Sequence, residues 1–441
     1  MPEAHRSPGD RFSGDVASLT VIRLVGVGAG FLTSVVAARL LGPADFGIAG
    51  VAQTVGTIVA LIANGGLAMS SIYLLRRATS GADRLVAALT GFAVCSITLA
   101  ALAGVAAALG VSRAGVEGMA GVTAVATGLL AAAIVAADAA DSQLLGLGRS
   151  RSYTIAEGIR TIGALAGTTA ILLVVTTAAG YTVGVALGLL AAASFALHRT
   201  RRIVGRFRPA FDRAVWRNTL AYGLRGQVGN VLQYFTLRLD IVFVAAILGA
   251  APAGIYLVAT RVSEVVTQIA NAAATLLFPA VAGQDDHRDT SLTESTVRVV
   301  TVLVSLSALA VGVASAALLT VVFGAAYAEA LPALWVLLLA AIPLSIGRLL
   351  GGDLKGRGHP GLVSVASVVG LAIMVVGDLA TLASWGIVGA AAISLVAYTA
   401  TAVGIALGYR AISGGSLGAL VPRVGDVAVI GRFVVRWVRR R

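Results

Sequence analysis

The sequence predicts an all-α polytopic membrane protein of about twelve transmembrane helices, arranged as two pseudo-symmetric six-helix lobes. Three observations predict it. Of 441 residues, 58% are hydrophobic and only 12% are charged, with a mean hydropathy of +0.93; soluble domains carry about 25% charged residues. Residues 38–64 (ARLLGPADFGIAGVAQTVGTIVALIAN) and 245–271 (AAILGAAPAGIYLVATRVSEVVTQIAN) are versions of one segment. Without gaps, 13 of their 27 positions are identical, Gly42, Gly47, Ile48 and Asn64 among them at +207; composition alone would match ~3. Finally, basic residues alternate from loop to loop. Of 33 Lys and Arg, 25 fall in alternate loops and tails, two in the opposite loops and six within spans.

About 20 apolar residues cross a ~30 Å hydrocarbon core as a helix. That ruler places spans near 17–38, 46–74, 85–109, 118–141, 153–175 and 180–197 in the first half. The second half follows with 219–248, 253–280, 295–322, 331–352, 360–382 and 385–409. Residues 1–16 then form a polar cytoplasmic tail, 17–198 an N-terminal lobe and 199–218 a basic cytoplasmic linker. Residues 219–410 form a C-terminal lobe and 411–441 a basic cytoplasmic tail. Within that tail Arg432, Arg436 and Arg439 recur at helical spacing beside Phe433 and Trp437, which fits either an interfacial helix or a solvated basic tail. The positive-inside rule puts both termini in the cytoplasm, because only Arg39 and Arg113 lie on the other side.

The net charge of +13 is therefore read as orientation and contact with anionic lipid, not nucleic-acid binding. Cys95 is the single cysteine, and His5, His198, His287 and His359 fall in tails or loops, so no disulfide or metal pattern exists and no cofactor is expected. No GxxxxGK[ST] run is present, which argues against ATP as the energy source. Glycines 26–30 lie inside a span, where small residues serve helix packing. Two related membrane halves are how many secondary transporters enclose a substrate path.

The run ARLLGPADFGIAG after the first span resembles the signature of polysaccharide-unit (lipid-linked oligosaccharide) flippases of the MOP (multidrug/oligosaccharidyl-lipid/polysaccharide) superfamily. Residues 223–259, GDLKGRGHP (352–360) and WGIVGAAAISLVAY (385–398) are similar to that family's seventh span, its Gly-rich loop and its last span. The resemblance implies a MATE/MOP-like fold in a bacterial cytoplasmic membrane. It also implies flipping of undecaprenyl-pyrophosphate-linked oligosaccharide for cell-surface or exopolysaccharide synthesis, driven by membrane potential or an ion gradient. Membrane lipids, and a polysaccharide polymerase or chain-length regulator, are its implied partners. A multidrug or metabolite antiporter of the same superfamily is the alternative. A membrane-embedded glycan polymerase or glycosyltransferase would show a large outer loop or an acidic metal motif, and neither is evident.

A charge in hydrocarbon costs about 3 kcal/mol or more, so each needs a partner or a task. Arg23, Arg160, Arg225 and Arg348 all fall within roughly 12 Å of the cytoplasmic ends of their spans. Their planar forks match phosphate oxygens, making them pyrophosphate candidates; Glu157, one turn before Arg160, offers it a local ion pair instead. Nearer the outer face, depth along the helices allows Asp240–Arg261 and Arg238–Glu264 pairs, candidates for a gate or for ion coupling. Asn64 and Asn271, the repeated pair, are sugar-contact candidates or helix ties. Asp138 and Asp141 read as solvated helix-end residues, and Pro343 is expected to kink its span beside Arg348.

Overall fold

The computed structural model describes residues 8–78, 80–283 and 289–423; the side chains of residues 8–24, 225, 226 and 279 lie outside the description. The basic tail from Asp426 also lies outside the described residues. The elements are helical in order: α1 (Pro8–Asn64), α2 (Leu67–Arg77), α3 (Ala82–Arg113), α4 (Val122–Gly146), α5 (Ser150–Leu172) and α6 (Ala178–Val204). There follow α7 (Arg213–Leu248), α8 (Ala250–Ala282), α9 (Ser291–Ala317), α10 (Leu331–Gly356) and α11 (Pro360–Ser413). Nine stretches among the described residues are long and apolar enough to cross a membrane. Twelve spans were expected. The count is lower partly because two stretches, Val25–Arg77 and Pro360–Ser413, run to 53 and 54 residues; the first is broken at Gly42 and at the Gly65–Gly66 turn, the second at Gly386. In addition α5, which carries Arg151, Glu157 and Arg160, is not among the nine. Helix α10 continues through Pro343, with no non-helical residue recorded there.

The duplicated glycines explain themselves in backbone terms. Gly42 (φ 73°) breaks α1, and its repeat Gly249 (φ 100°) separates α7 from α8. Positive φ costs a side chain dearly and glycine nothing, so both halves keep glycine where one helix stops and the next starts. Gly386 (φ 58°) breaks α11 in the same way.

The chain divides into two compact units: Met1–Val231 with Gly249–Gly254, and Leu232–Leu248 with Ile255–Arg441. Small residues let the helices of unit 1 approach closely. Gly163 and Gly167 of α5 face Gly184 and Gly188 of α6, and a Cβ at Gly188 would strike the backbone of Gly163 and Ala164. Gly47 meets Ala250 and Gly254, its own repeat, with no room for a side chain on either. Helix α6 runs to Val204 and α7 starts at Arg213, so 205–212 is the segment between them. It is tied down. The Ala210 N–H donates to the Ala87 carbonyl (3.0 Å), and the Trp216 indole N–H donates to that of Ala88 (3.0 Å). Asp212 caps α7 by accepting from Ala214 and Val215 (2.9 and 3.0 Å). In unit 2 the largest buried side chains are Tyr256, Tyr327, Tyr409 and Phe323. The C-terminal end of α10 is fixed by Asp353, fully buried, which accepts from Thr293 (2.6 Å) and Arg357 (2.7 Å).

Replacing Gly188 with Leu should destabilise the protein by about 1–3 kcal/mol or more, as overpacking does. Gly110→Ala, whose new methyl meets nothing within 4 Å, should leave stability unchanged or raise it slightly. Thermal melting of the purified protein in detergent measures both.

Candidate functional site

Helices α7, α8, α10 and α11 of unit 2 surround a cavity of about 420 Å³. Its polar lining comprises Gln233 and Thr236 of α7, Asn271 and Thr275 of α8, Arg348 and Lys355 of α10, and Ser367, Tyr398 and Thr401 of α11. Two cations and no carboxylate stand among the lining residues. Arg348 and Lys355 are seven residues apart, two helical turns, so they share one face of α10. Glycines at 347, 351 and 352 keep that face open, while Leu237, Phe278, Leu344 and Ile405 supply apolar wall. Such a space suits an anion attached to a body that is partly apolar and partly hydroxyl-bearing.

Arg348 is held in place by a residue of the repeat. Its Nη1 donates to Asn271 Oδ1 at 2.7 Å, and Asn271 Nδ2 donates to Gln268 Oε1 at 3.1 Å. Asn271 thus spends its carbonyl on the arginine that lines the cavity. No salt bridge within 4.0 Å is recorded for Arg348 or Lys355 among the described residues.

Beside this cavity lies the second charged set. Arg238 and Glu264 form an ion pair, as depth allowed, and Arg261 Nη1 stands 3.4 Å from Glu264 Oε2. Asp240 differs from the expectation of an Arg261 pair: it accepts from the Tyr256 hydroxyl (2.7 Å) and the Ile241 N–H (2.8 Å). Tyr256 lies fully buried with Ser394 Oγ 3.4 Å from its oxygen. Tyrosine wins because a neutral donor on the next helix satisfies a fully desolvated carboxylate without burying a second charge. Asp378 of α11, which sequence reasoning passed over, is fully buried within electrostatic range of Asp240, and neither of its oxygens has a hydrogen bond. The signal was present, since it is a lone carboxylate in the apolar stretch 360–382.

A charged cluster in unit 1 carries an excess of the opposite sign. Arg160 of α5 ion-pairs with Glu157 and lies 3.9 Å from Asp138 and 4.0 Å from Asp141 of α4. Asn64 Nδ2 donates to Asp138 Oδ2 (3.4 Å), and Asn64 Oδ1 accepts the Ala68 N–H (3.4 Å). With three carboxylates around it, Arg160 offers no net positive charge to a phosphate. Asp138 has a side chain 34% exposed, but that of Asp141 is only 6% exposed, so Asp141 is not the solvated helix-end residue expected. Burial arises because α4 is covered here by α6, with Ala140, Leu144, Ala156 and Ala196 in one cluster. The side chains of Arg23 and Arg225, the remaining pyrophosphate candidates, lie outside the described residues.

Residues 36–332 match the profile of a family described as polysaccharide biosynthesis protein. A probable low-salt glycan biosynthesis flippase of Haloferax volcanii is 25% identical over 200 residues, 44% of this chain and 42% of that protein, less than half its length. Among solved structures, the lipid II flippase MurJ in an inward closed conformation is similar with a TM-score of 0.74. It is 13% identical, with 90% of this chain and 89% of that one covered. An inward-facing multidrug resistance MATE family transporter of the MOP superfamily gives 0.67 at 16% identity, covering 91% and 98%. A MOP superfamily transporter from Pyrococcus furiosus gives 0.57 at 15%, covering 91% and 96%. At these identities the likeness to solved structures is one of fold, and the fold is that of MATE and MurJ transporters.

Among the described residues, Tyr256→Phe removes the one side-chain hydrogen-bond donor to Asp240. The unsatisfied carboxylate should lower stability by about 1–3 kcal/mol, visible as a lower melting temperature in detergent.

Proposed function

The chain belongs to the polysaccharide biosynthesis protein family, and on that premise we propose that it is a flippase for lipid-linked oligosaccharide. Its cargo, in this reading, is an undecaprenyl-pyrophosphate-linked unit moved outward across the bacterial cytoplasmic membrane, with both termini of the protein on the cytoplasmic side. The observation that carries the proposal is the unit 2 cavity, where Arg348 and Lys355 stand without a carboxylate in the lining.

The chemistry follows from the groups present. A diphosphate entering hydrocarbon loses its hydration, and a guanidinium that is already ordered replaces water at the lowest entropic cost. Asn271 supplies that order through its 2.7 Å bond to Arg348. Lys355, near the end of α10, attracts the anion as a point charge. Gln233, Ser367 and Thr401 offer amide and hydroxyl partners for sugar hydroxyls. The lipid tail remains in the bilayer while the head crosses by alternating access. Arg23 and Arg225 are proposed as further phosphate contacts. Asn64 and Arg160 are left out of the cargo site, because each is bound to carboxylates of unit 1.

Energy is proposed to come from membrane potential or an ion gradient. The set Arg238, Asp240, Arg261 and Glu264, with Asp378 added, offers titratable and breakable contacts for the gradient. The same carboxylates would serve the second reading, an ion-coupled multidrug or metabolite antiporter. That reading gives the carboxylate-free lining of the Arg348 cavity no role, because a cationic drug would be repelled there.

Arg348→Ala should cut export of the glycan by about 10–100-fold, the worth of one charge-assisted contact, with lipid-linked oligosaccharide accumulating in the inner leaflet. Arg348→Lys should retain part of the activity. Normal export by Arg348→Ala, at normal protein level, would refute this site; efflux of drugs from a hypersensitive host without glycan movement would favour the antiporter.

A further inference from the structure

The acidic cluster of unit 1 has no task in the cargo site, and its charges do not balance. Asp138, Asp141 and Glu157 bring three carboxylates to one guanidinium, that of Arg160. Asp141 is the least satisfied. Its side chain is 94% buried, neither oxygen has a hydrogen bond among the described residues, and its one countercharge is 4.0 Å away and shared by two other acids. Leaving two uncompensated negative charges at such a place is expensive, and the smallest species that removes one is a proton. Among the described residues no group of three or more His, Cys, Asp and Glu is placed to hold a metal ion.

We infer that this cluster is a proton-binding site centred on Asp141. The proton enters from water reaching Asp138, whose side chain is 34% exposed, bonds to one Asp141 oxygen and leaves by the same route. No other bond forms or breaks. Asp138 and Asp141 lie three residues apart on one face of α4, so the proton has a second carboxylate one step away. Asn64 fixes Asp138 by donating to it at 3.4 Å, holding that carboxylate beside its buried neighbour. The surroundings add little else. Helix α5 brings Glu157 and Arg160, α1 brings Asn64, and α3 brings Thr90, bonded to Gln143 rather than to an acid. Helix α6 brings alanines to α4 here. On α2, Arg76 lies near Gly148, past the end of α4, and Arg77 lies over the Tyr73 ring. The charges that act on Asp141 are those of Arg160 and Asp138.

Use of this proton to drive transport rests on the flippase reading, whereas the site itself does not. The test is infrared difference spectroscopy of the full chain in lipid nanodiscs, between acidic and alkaline buffer. The wild type should show a protonated-carboxyl band that Asp141→Asn lacks and that Asp240→Asn and Asp378→Asn retain. Arg160→Gln, which deletes the lone countercharge, should take up a further proton and strengthen the carboxyl signal. A band unchanged in Asp141→Asn, or no gain in Arg160→Gln, overturns the inference. An Asp141 band in a protein that moves no glycan would fail the flippase reading alone, and glycan transport without that band would fail this inference alone.

Discussion

Desolvation of charge governs this protein. Ionised side chains placed at membrane depth lose water that hydrocarbon cannot replace, so each must find a protein group or remain near the surface. The described interior follows that constraint case by case. Arg238 takes Glu264, Arg348 takes a neutral amide oxygen, Asp240 takes a phenol, and Asp353 takes a threonine and an arginine together. Where the accounts stay open, at Asp141 and Asp378, both carboxyl oxygens lack a hydrogen bond. Exceptions of this kind cost stability, and a transporter needs a few of them, because a group already satisfied has no reason to bind anything.

Duplication provided the frame and divergence provided the chemistry. Gly42 and Gly249 do the same backbone task, and Gly47 packs against its own repeat, Gly254. Asn64 and Asn271 occupy equivalent positions and do opposite things: one donates to an aspartate, the other accepts from an arginine. An amide has both a donor and an acceptor, so the same residue serves an acidic cluster in one unit and a cationic cavity in the other without being replaced.

Much of the fold could be read before the structure. Apolar run length and loop charge determine the helices, and the +207 repeat determines that they come in two related sets. Helix ends were less legible, since Gly42 and Gly386 break helices that otherwise run on. At the site, Arg348 and the Arg238–Glu264 pair were visible as charges in apolar sequence at compatible depths. The Asp240–Tyr256 bond was not, because tyrosine in a span carries no charge signal. Nor was the burial of Asp141, which depends on α6 covering a helix end that composition marks as wet. Depth along a helix is a one-dimensional measure, and partner choice depends on azimuth, which is set only by packing.

The glycine faces of α5 and α6 bear on how the chain is made. Helix α5 is not among the stretches apolar enough to cross unaided, and it carries Glu157 and Arg160. During synthesis it would partition poorly from the translocon into lipid on its own. Gly163 and Gly167 fitting against Gly184 and Gly188 give it a companion from the next segment, and Arg160 finds its counterions on the preceding α4. The penultimate helix of the first half is therefore expected to insert as a passenger, with α5 and α6 entering the bilayer as one hairpin.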